Sequence, residues 1–165
     1  MMTENPVSSL ERYFDFFEGV WNVRMRRRKL SPALQPISEW STFGAAVRVE
    51  RALNGTAFVE HIRMDAPEGI AYAVGSRFYN AKTNQWAIFW ANENDYQWQK
   101  PMRGGLLTSS GIDFISDDVF EGRHVLARYR WNTLDRDHPA WEQAFSNDNG
   151  ASWVANWMMG FRRHE

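Results

Sequence analysis

Residues 21–26 alternate strictly: Trp21, Val23 and Met25 are apolar, while Asn22, Arg24 and Arg26 are polar or charged. Period-two alternation puts successive side chains on opposite faces, so it describes a half-buried β-strand with its arginines in water. The basic run Arg24–Lys29 is then a solvated strand face rather than a nucleic-acid patch. Comparable segments follow near 38–52, 57–65, 71–79, 86–92, 95–99, 105–115, 119–131, 140–146 and 152–162. Turn signals separate them: Asn54-Gly55, Pro67-Glu68-Gly69, Lys82-Thr83-Asn84, Arg103-Gly104-Gly105, Glu121-Gly122 and Asn147-Asp148-Asn149-Gly150. Sequential strands of this kind predict an all-β, closed antiparallel up-and-down barrel of about ten strands, with one domain spanning residues 1–165. Closure removes exposed strand edges.

One short helix precedes the strands. Ser8 and Glu11 have capping-box spacing, and Leu10, Tyr13, Phe14 and Phe17 share a helical face before Gly19. A helix over roughly residues 9–18 is too short to stand alone. It must pack on something, and a barrel end suits it.

The chain carries nine Trp, eleven Phe and five Tyr. That is either a core rich in tryptophan or an aromatic-walled cavity. Opposing Asn132 to Ala140 places Trp131 across from Trp141, Tyr129 from Gln143 and Ala127 from Phe145. Opposing Ser146 to Ser152 then places Trp141 across from Trp157. The expected result is a row of Trp131, Trp141 and Trp157 inside, with Arg128, Arg130, Glu142, Asn156 and Arg162 outside. Arg130 and Glu142 form an expected surface ion pair. In the hairpin around residue 82, the face with Tyr72, Val74, Ser76 and Phe78 is expected to join Trp86, Ile88 and Trp90 inside. The opposite face carries Ala71, Ala73, Gly75, Arg77 and Tyr79, which is either the outside of a tightly packed sheet or a ligand space with Arg77 as its charged anchor.

Glu60 shares an apolar face with Phe58, Ile62 and Met64. A carboxylate there needs a partner. It is either a structural group bonded to an indole N–H or an arginine, or a functional acid.

Other chemistry finds little support. There is no cysteine, and His61, His124, His138 and His164 make no pair with metal-ligand spacing. No phosphate loop, dinucleotide fingerprint or nucleophile elbow is present. Ser109-Ser110-Gly111 reads as strand, Asp117-Asp118 as a turn, and the sequon Asn54-Gly55-Thr56 as a turn. The formal net charge of −1 gives no case for nucleic acid or an anionic membrane. A cytoplasmic location is the expectation, since the N-terminus has no signal-peptide pattern and no apolar stretch is long enough to span a membrane.

Three stretches resemble a known family. Phe14, Asp15, Phe16, Gly19 and Trp21 match a start of the form F-D-F-L-x-G-x-W. Arg77, Tyr79, Thr83 and Trp86 match R-x-Y-D-P-x-T-G-x-W. Trp141, Glu142, Ser146, Asp148, Gly150, Trp153, Trp157 and Arg162 match W-E-x-x-x-S-x-D-G-G-x-T-W with its following Trp and Arg. Together they resemble the bacterial lipocalin-like (calycin-like) proteins of the DUF1579 type, whose function is largely uncharacterised. The chain departs from that pattern at Asn80-Ala81, Asn84 and Asn149, all turn positions. The resemblance implies a lipocalin-like barrel. The Gly-rich Trp motif of nitrobindin, a haem-binding barrel of the same class, is absent, and no cofactor is expected.

The functional expectation is a binding protein for a small hydrophobic or aromatic metabolite. The alternative is a cofactor-independent isomerase, cyclase or lyase acting on such a molecule, with Glu60, Tyr72 and Arg77 as candidate catalytic groups. A structural role with a filled core is a third reading. The expected lining is Trp21, Phe58, Glu60, Tyr72, Ser76, Trp86, Trp90, Tyr129, Trp131, Trp141, Gln143 and Trp157. No metal, nucleic acid or membrane partner is expected, and a homodimer is the expected oligomer.

Overall fold

The computed structural model describes residues 10–165. Eleven strands form one antiparallel sheet: β1 (Gly19–Arg27), β2 (Ser41–Ala52), β3 (Ala57–Ala66), β4 (Gly69–Asn80), β5 (Gln85–Asn92), β6 (Met102–Gly104), β7 (Leu106–Leu107), β8 (Gly111–Phe120), β9 (Arg123–Asn132), β10 (Ala140–Ser146) and β11 (Val154–Arg163). Their order is β6-β5-β4-β3-β2-β1-β11-β10-β9-β8-β7. Each strand neighbours its predecessor except β7, and the one pair not consecutive in sequence, β1 with β11, curls the meander round on itself. The two terminal strands, β6 and β7, are consecutive in sequence and joined at Gly105. The sheet is thus a nearly closed barrel.

The seam has a local cause. Gly104 and Gly105 both have φ of 123°, a conformation open to glycine and strained for other residues. The bend lets Met102–Gly104 pair with β5 and Leu106–Leu107 pair with β8. Beyond it, side chains bridge the gap: Ser116 Oγ donates to Met102 Sδ at 2.9 Å, and Lys100 Nζ to the Asp117 carbonyl at 2.9 Å. The strand expected at 95–99 is instead part of a connecting loop. Tyr96 adopts φ of 52° there, which no ladder tolerates. Asp117-Asp118, expected as a turn, belongs to β8, and the actual turn is Glu121-Gly122.

Among the described residues the expected helix over 9–18 is α-helical at Leu10 and Glu11 and then, past Arg12, a 3-10 helix, Tyr13–Phe17. The capping box rests on Ser8, which lies outside the described residues. Three residues per turn put Phe14 and Phe17 on one face, and Phe16 is buried beside them in the core. They plug one end of the barrel, with Phe14 edge-on to Trp86 at 5.1 Å and Phe17 edge-on to Trp131 at 5.1 Å. Such pairs add about 0.5–1.5 kcal/mol each beyond area burial. Indoles tie the plug down: Trp86 Nε1 donates to the Leu10 carbonyl at 2.8 Å and Trp21 Nε1 to the Phe17 carbonyl at 2.9 Å. Arg163, at the end of β11, lays its guanidinium 3.9 Å over the Trp21 ring and donates to the Glu18 and Phe16 carbonyls.

A strap, residues 28–40, crosses towards the β10–β11 turn at the other end. It buries Leu30 and Leu34. Arg28 N donates to the Asn156 carbonyl at 3.0 Å and Arg28 Nε to the Ala155 carbonyl at 2.9 Å.

The β9–β10 register is the expected one, Trp131 opposite Trp141 and Tyr129 opposite Gln143. The β10–β11 register is not: Trp141 faces Met159, and Gln143 faces Trp157. Asp148 explains the shift. Its carboxylate accepts from the Ser152 backbone N–H and hydroxyl and from Ser146 Oγ, which holds Ser152 in the turn and delays β11 to Val154. Asn156 is bulged between the two pairing registers. The expected Arg130–Glu142 ion pair is also replaced. The two residues do sit opposite each other, but Arg130 forks onto Asp113, and Glu142 takes Arg128.

Candidate functional site: an aromatic cavity on a buried ion pair

The β4–β5 hairpin decides what faces inward. Gly75 pairs with Trp90, Arg77 with Ile88 and Tyr79 with Trp86, so Ala71, Ala73, Gly75, Arg77 and Tyr79 share the interior with the β5 indoles. This overturns the expectation for Tyr72 and Ser76. Both project from the outer face, where Tyr72 is 52% exposed. The hairpin turn sets this register: Asn84, with φ of 51°, directs the pairing Asn80–Gln85, one residue away from the frame that would have turned Tyr72 inward.

Arg77 meets Glu60 inside. Its Nε and Nη2 donate to one carboxylate oxygen, Oε2, at 3.3 and 2.9 Å. Gly75 makes room for that carboxylate, since a Cβ at residue 75 would lie 2.7 Å from Oε2. The Arg77 guanidinium also sits among the rings of Phe14, Phe17 and Trp131, at 4.5, 4.7 and 5.3 Å. A cation over aromatic faces is attracted to their electron density, and the nearby carboxylate neutralises it. The pair therefore forms a floor resting on the helical plug. The partner that Glu60 requires is therefore an arginine.

Above the floor is a cavity of about 240 Å³. Trp90, Trp141 and Trp157 form one wall, with Trp157 edge-on to both other rings at 6.0 and 6.1 Å. Tyr129, Trp131, Met25, Met159, Phe161, Val47, Ile62 and Ile88 complete the apolar lining. Gln143, Asn92 and Gln99 add amides. Gln99 N donates to the Trp90 carbonyl at 2.9 Å, which holds the 93–101 loop against β5. At the rim, Arg27 lies 5.7 Å from the Trp157 ring and pairs with Glu68 from the β3–β4 turn. That carboxyl is held below the usual range by its own backbone N–H and by Arg27.

The expected lining thus divides three ways. Glu60, Trp90, Tyr129, Trp131, Trp141, Gln143 and Trp157 surround the cavity, as does Arg77. Trp21, Phe58 and Trp86 are buried in the solid layer beside the plug. Tyr72 and Ser76 are outside. The sequence reading missed Met25 and Met159 as lining, although Met25 lies on the inward face of the first alternating segment.

The hydrogen-bonding ledger of the cavity is uneven. Among the described residues, Arg77 Nη1, Trp131 Nε1 and Trp157 Nε1 are buried with no hydrogen-bond partner. All three are donors on residues that line this space. Burial pushes the Tyr129 hydroxyl up to about 12. Glu60 and Arg77 are the charged residues in the lining, and their charges cancel. Among the described residues no His, Asp and Glu cluster could hold a metal, and no helix is long and apolar enough to cross a membrane.

No family model and no curated protein matches this chain. Among solved structures, EF1p2_mFAP2b bound to DFHBI is similar, with 10% identity over 94% of this chain and 100% of that chain, at a TM-score of 0.49. A likeness that weak carries no weight for fold or function, and both rest on the geometry above.

Proposed function

We propose that this protein binds a small aromatic molecule inside its barrel. One observation carries the reading. Four of the nine tryptophans surround a cavity, while the rest of the interior is packed: Trp21 and Trp86 brace the plug, and Trp40, Trp98 and Trp153 lie outside the cavity lining. Well-packed interiors leave few voids larger than a water molecule, so a space of 240 Å³ is an unusual thing to keep. An engineered apolar cavity of about 150 Å³ in another protein holds benzene. The present one has room for about two fused rings.

Of the residues that carry the DUF1579 resemblance, Arg77, Trp141 and Trp157 line this space, and Phe14, Trp21 and Trp86 pack in the buried layer at the plug. We infer that the chain shares the barrel of that type.

Naphthalene tests the binding reading. At about 0.5 kcal/mol per heavy atom over ten carbons, calorimetry should give a Kd on the order of 0.1 mM. The heat-capacity change should be negative, as burial of apolar surface requires. Absence of any binding heat above that of dilution, with naphthalene brought to its solubility limit, contradicts the proposal.

A further inference from the structure

We propose that the cavity selects a neutral aromatic molecule bearing one acceptor oxygen, such as an aryl ketone or lactone, over both the bare hydrocarbon and the matching carboxylate. The inference rests on the binding reading above and adds the polarity of the ligand.

Two observations carry it. The unpartnered buried atoms of the lining are all donors: Arg77 Nη1, Trp131 Nε1 and Trp157 Nε1, among the described residues. A buried N–H without an acceptor is a standing cost, and a ligand oxygen relieves it. The second observation is charge. The Glu60–Arg77 pair is already neutral, with side chains 10% and 4% exposed. A bound carboxylate would leave a net negative charge in an apolar interior, next to Glu60. A carbonyl oxygen answers the donors without that penalty. The oxygen is assigned to Trp157, whose ring stands edge-on to both Trp90 and Trp141 in the cavity wall.

Three ligands of one shape separate these effects: 2-isopropylnaphthalene, 2-acetylnaphthalene and 2-naphthoate. Their affinities are measured by calorimetry at neutral pH on the full chain. The acetyl compound should bind at least tenfold tighter than the isopropyl compound, and the carboxylate should be the weakest of the three. In Trp157→Phe, with folding checked by circular dichroism, the acetyl-over-isopropyl preference should fall below threefold. Equal affinity of the acetyl and isopropyl compounds overturns the acceptor inference and leaves the cavity reading standing. Tightest binding of the carboxylate overturns the charge argument. An undiminished preference in Trp157→Phe overturns the assignment of the oxygen to that indole. Failure of all three ligands, with naphthalene also silent, removes the binding reading itself.

Discussion

Arg77 spends two of its donors on a single oxygen of Glu60, reaching Oε2 from both Nε and Nη2. The pair is buried, so its two members depend on each other more than the fold depends on the pair. Arg77→Met strands a carboxylate in an apolar interior and should cost about 3–5 kcal/mol in urea unfolding. Glu60→Leu strands the guanidinium and should cost a similar amount. The double variant should be more stable than either single one, because removing both charges removes both desolvation costs. A double variant whose loss equals the sum of the singles would contradict this.

Gly75 and Gly44 offer a matched comparison. A Cβ on Gly75 would meet Glu60 Oε2 at 2.7 Å, whereas one on Gly44, on the outer face of β2, meets nothing within 4 Å. Gly75→Ala should therefore destabilise by about 1–3 kcal/mol as the ion pair is pushed aside. Gly44→Ala should stabilise by about 0.5–1 kcal/mol, because it lowers the entropy of the unfolded chain without a collision. Thermal melts of the two variants check both signs.

Arg163 is the tie between the last strand and the plug. Its guanidinium covers Trp21 at 3.9 Å and donates to the Glu18 carbonyl at 2.7 Å. Replacing it with Met keeps the stem and loses the charge-assisted bonds. Arg163→Met should cost about 1.5–3 kcal/mol, whereas Arg162→Met on the exposed face should change stability by less than about 0.5 kcal/mol.

Tyr129 predicts a pH dependence. Its hydroxyl keeps its proton to about 12 in the folded chain, against an ordinary value of 10.0, because burial disfavours the phenolate. Above pH 10 the unfolded chain releases this proton and the folded chain does not, so stability is full below that point and falls as pH rises towards 12. The loss due to this residue between about pH 9.5 and 11 should be about 1 kcal/mol. Tyr129→Phe should lack that part of the slope, measured by urea unfolding at both pH values.

How much of this was legible depended on whether the two faces of a strand differ. On β9 and β10 the outward residues are charged and the inward ones aromatic, so Trp131 and Trp141 could be paired from the sequence. On β4 both faces are uncharged except at Arg77, and the bulkier set, Tyr72, Val74 and Phe78, turned out to be the outer one. The small set is inside because Gly75 leaves space for Glu60 and the cavity. Arg77 fitted either the outside of a packed sheet or a charged anchor in a ligand space, and its bond to Glu60 places it in the interior. The seam was hidden for a different reason. Gly104-Gly105 reads as a turn, and nothing local says that the strands on its two sides pair with opposite ends of the sheet. The exchange of partners between Arg128 and Arg130 likewise turns on Asp113, a residue from a third strand.

The central claim is that the aromatic cavity, and not the aromatic surface, receives the ligand. Indole N–H resonances in a 15N-labelled sample read this residue by residue during titration with naphthalene. The account predicts shifts at Trp90, Trp131, Trp141 and Trp157, which line the cavity, and none at Trp40, Trp98 and Trp153. Trp21 and Trp86, bonded to the Phe17 and Leu10 carbonyls, should stay in place. Shifts confined to Trp40, Trp98 or Trp153 would contradict it, as would a spectrum that naphthalene leaves unchanged.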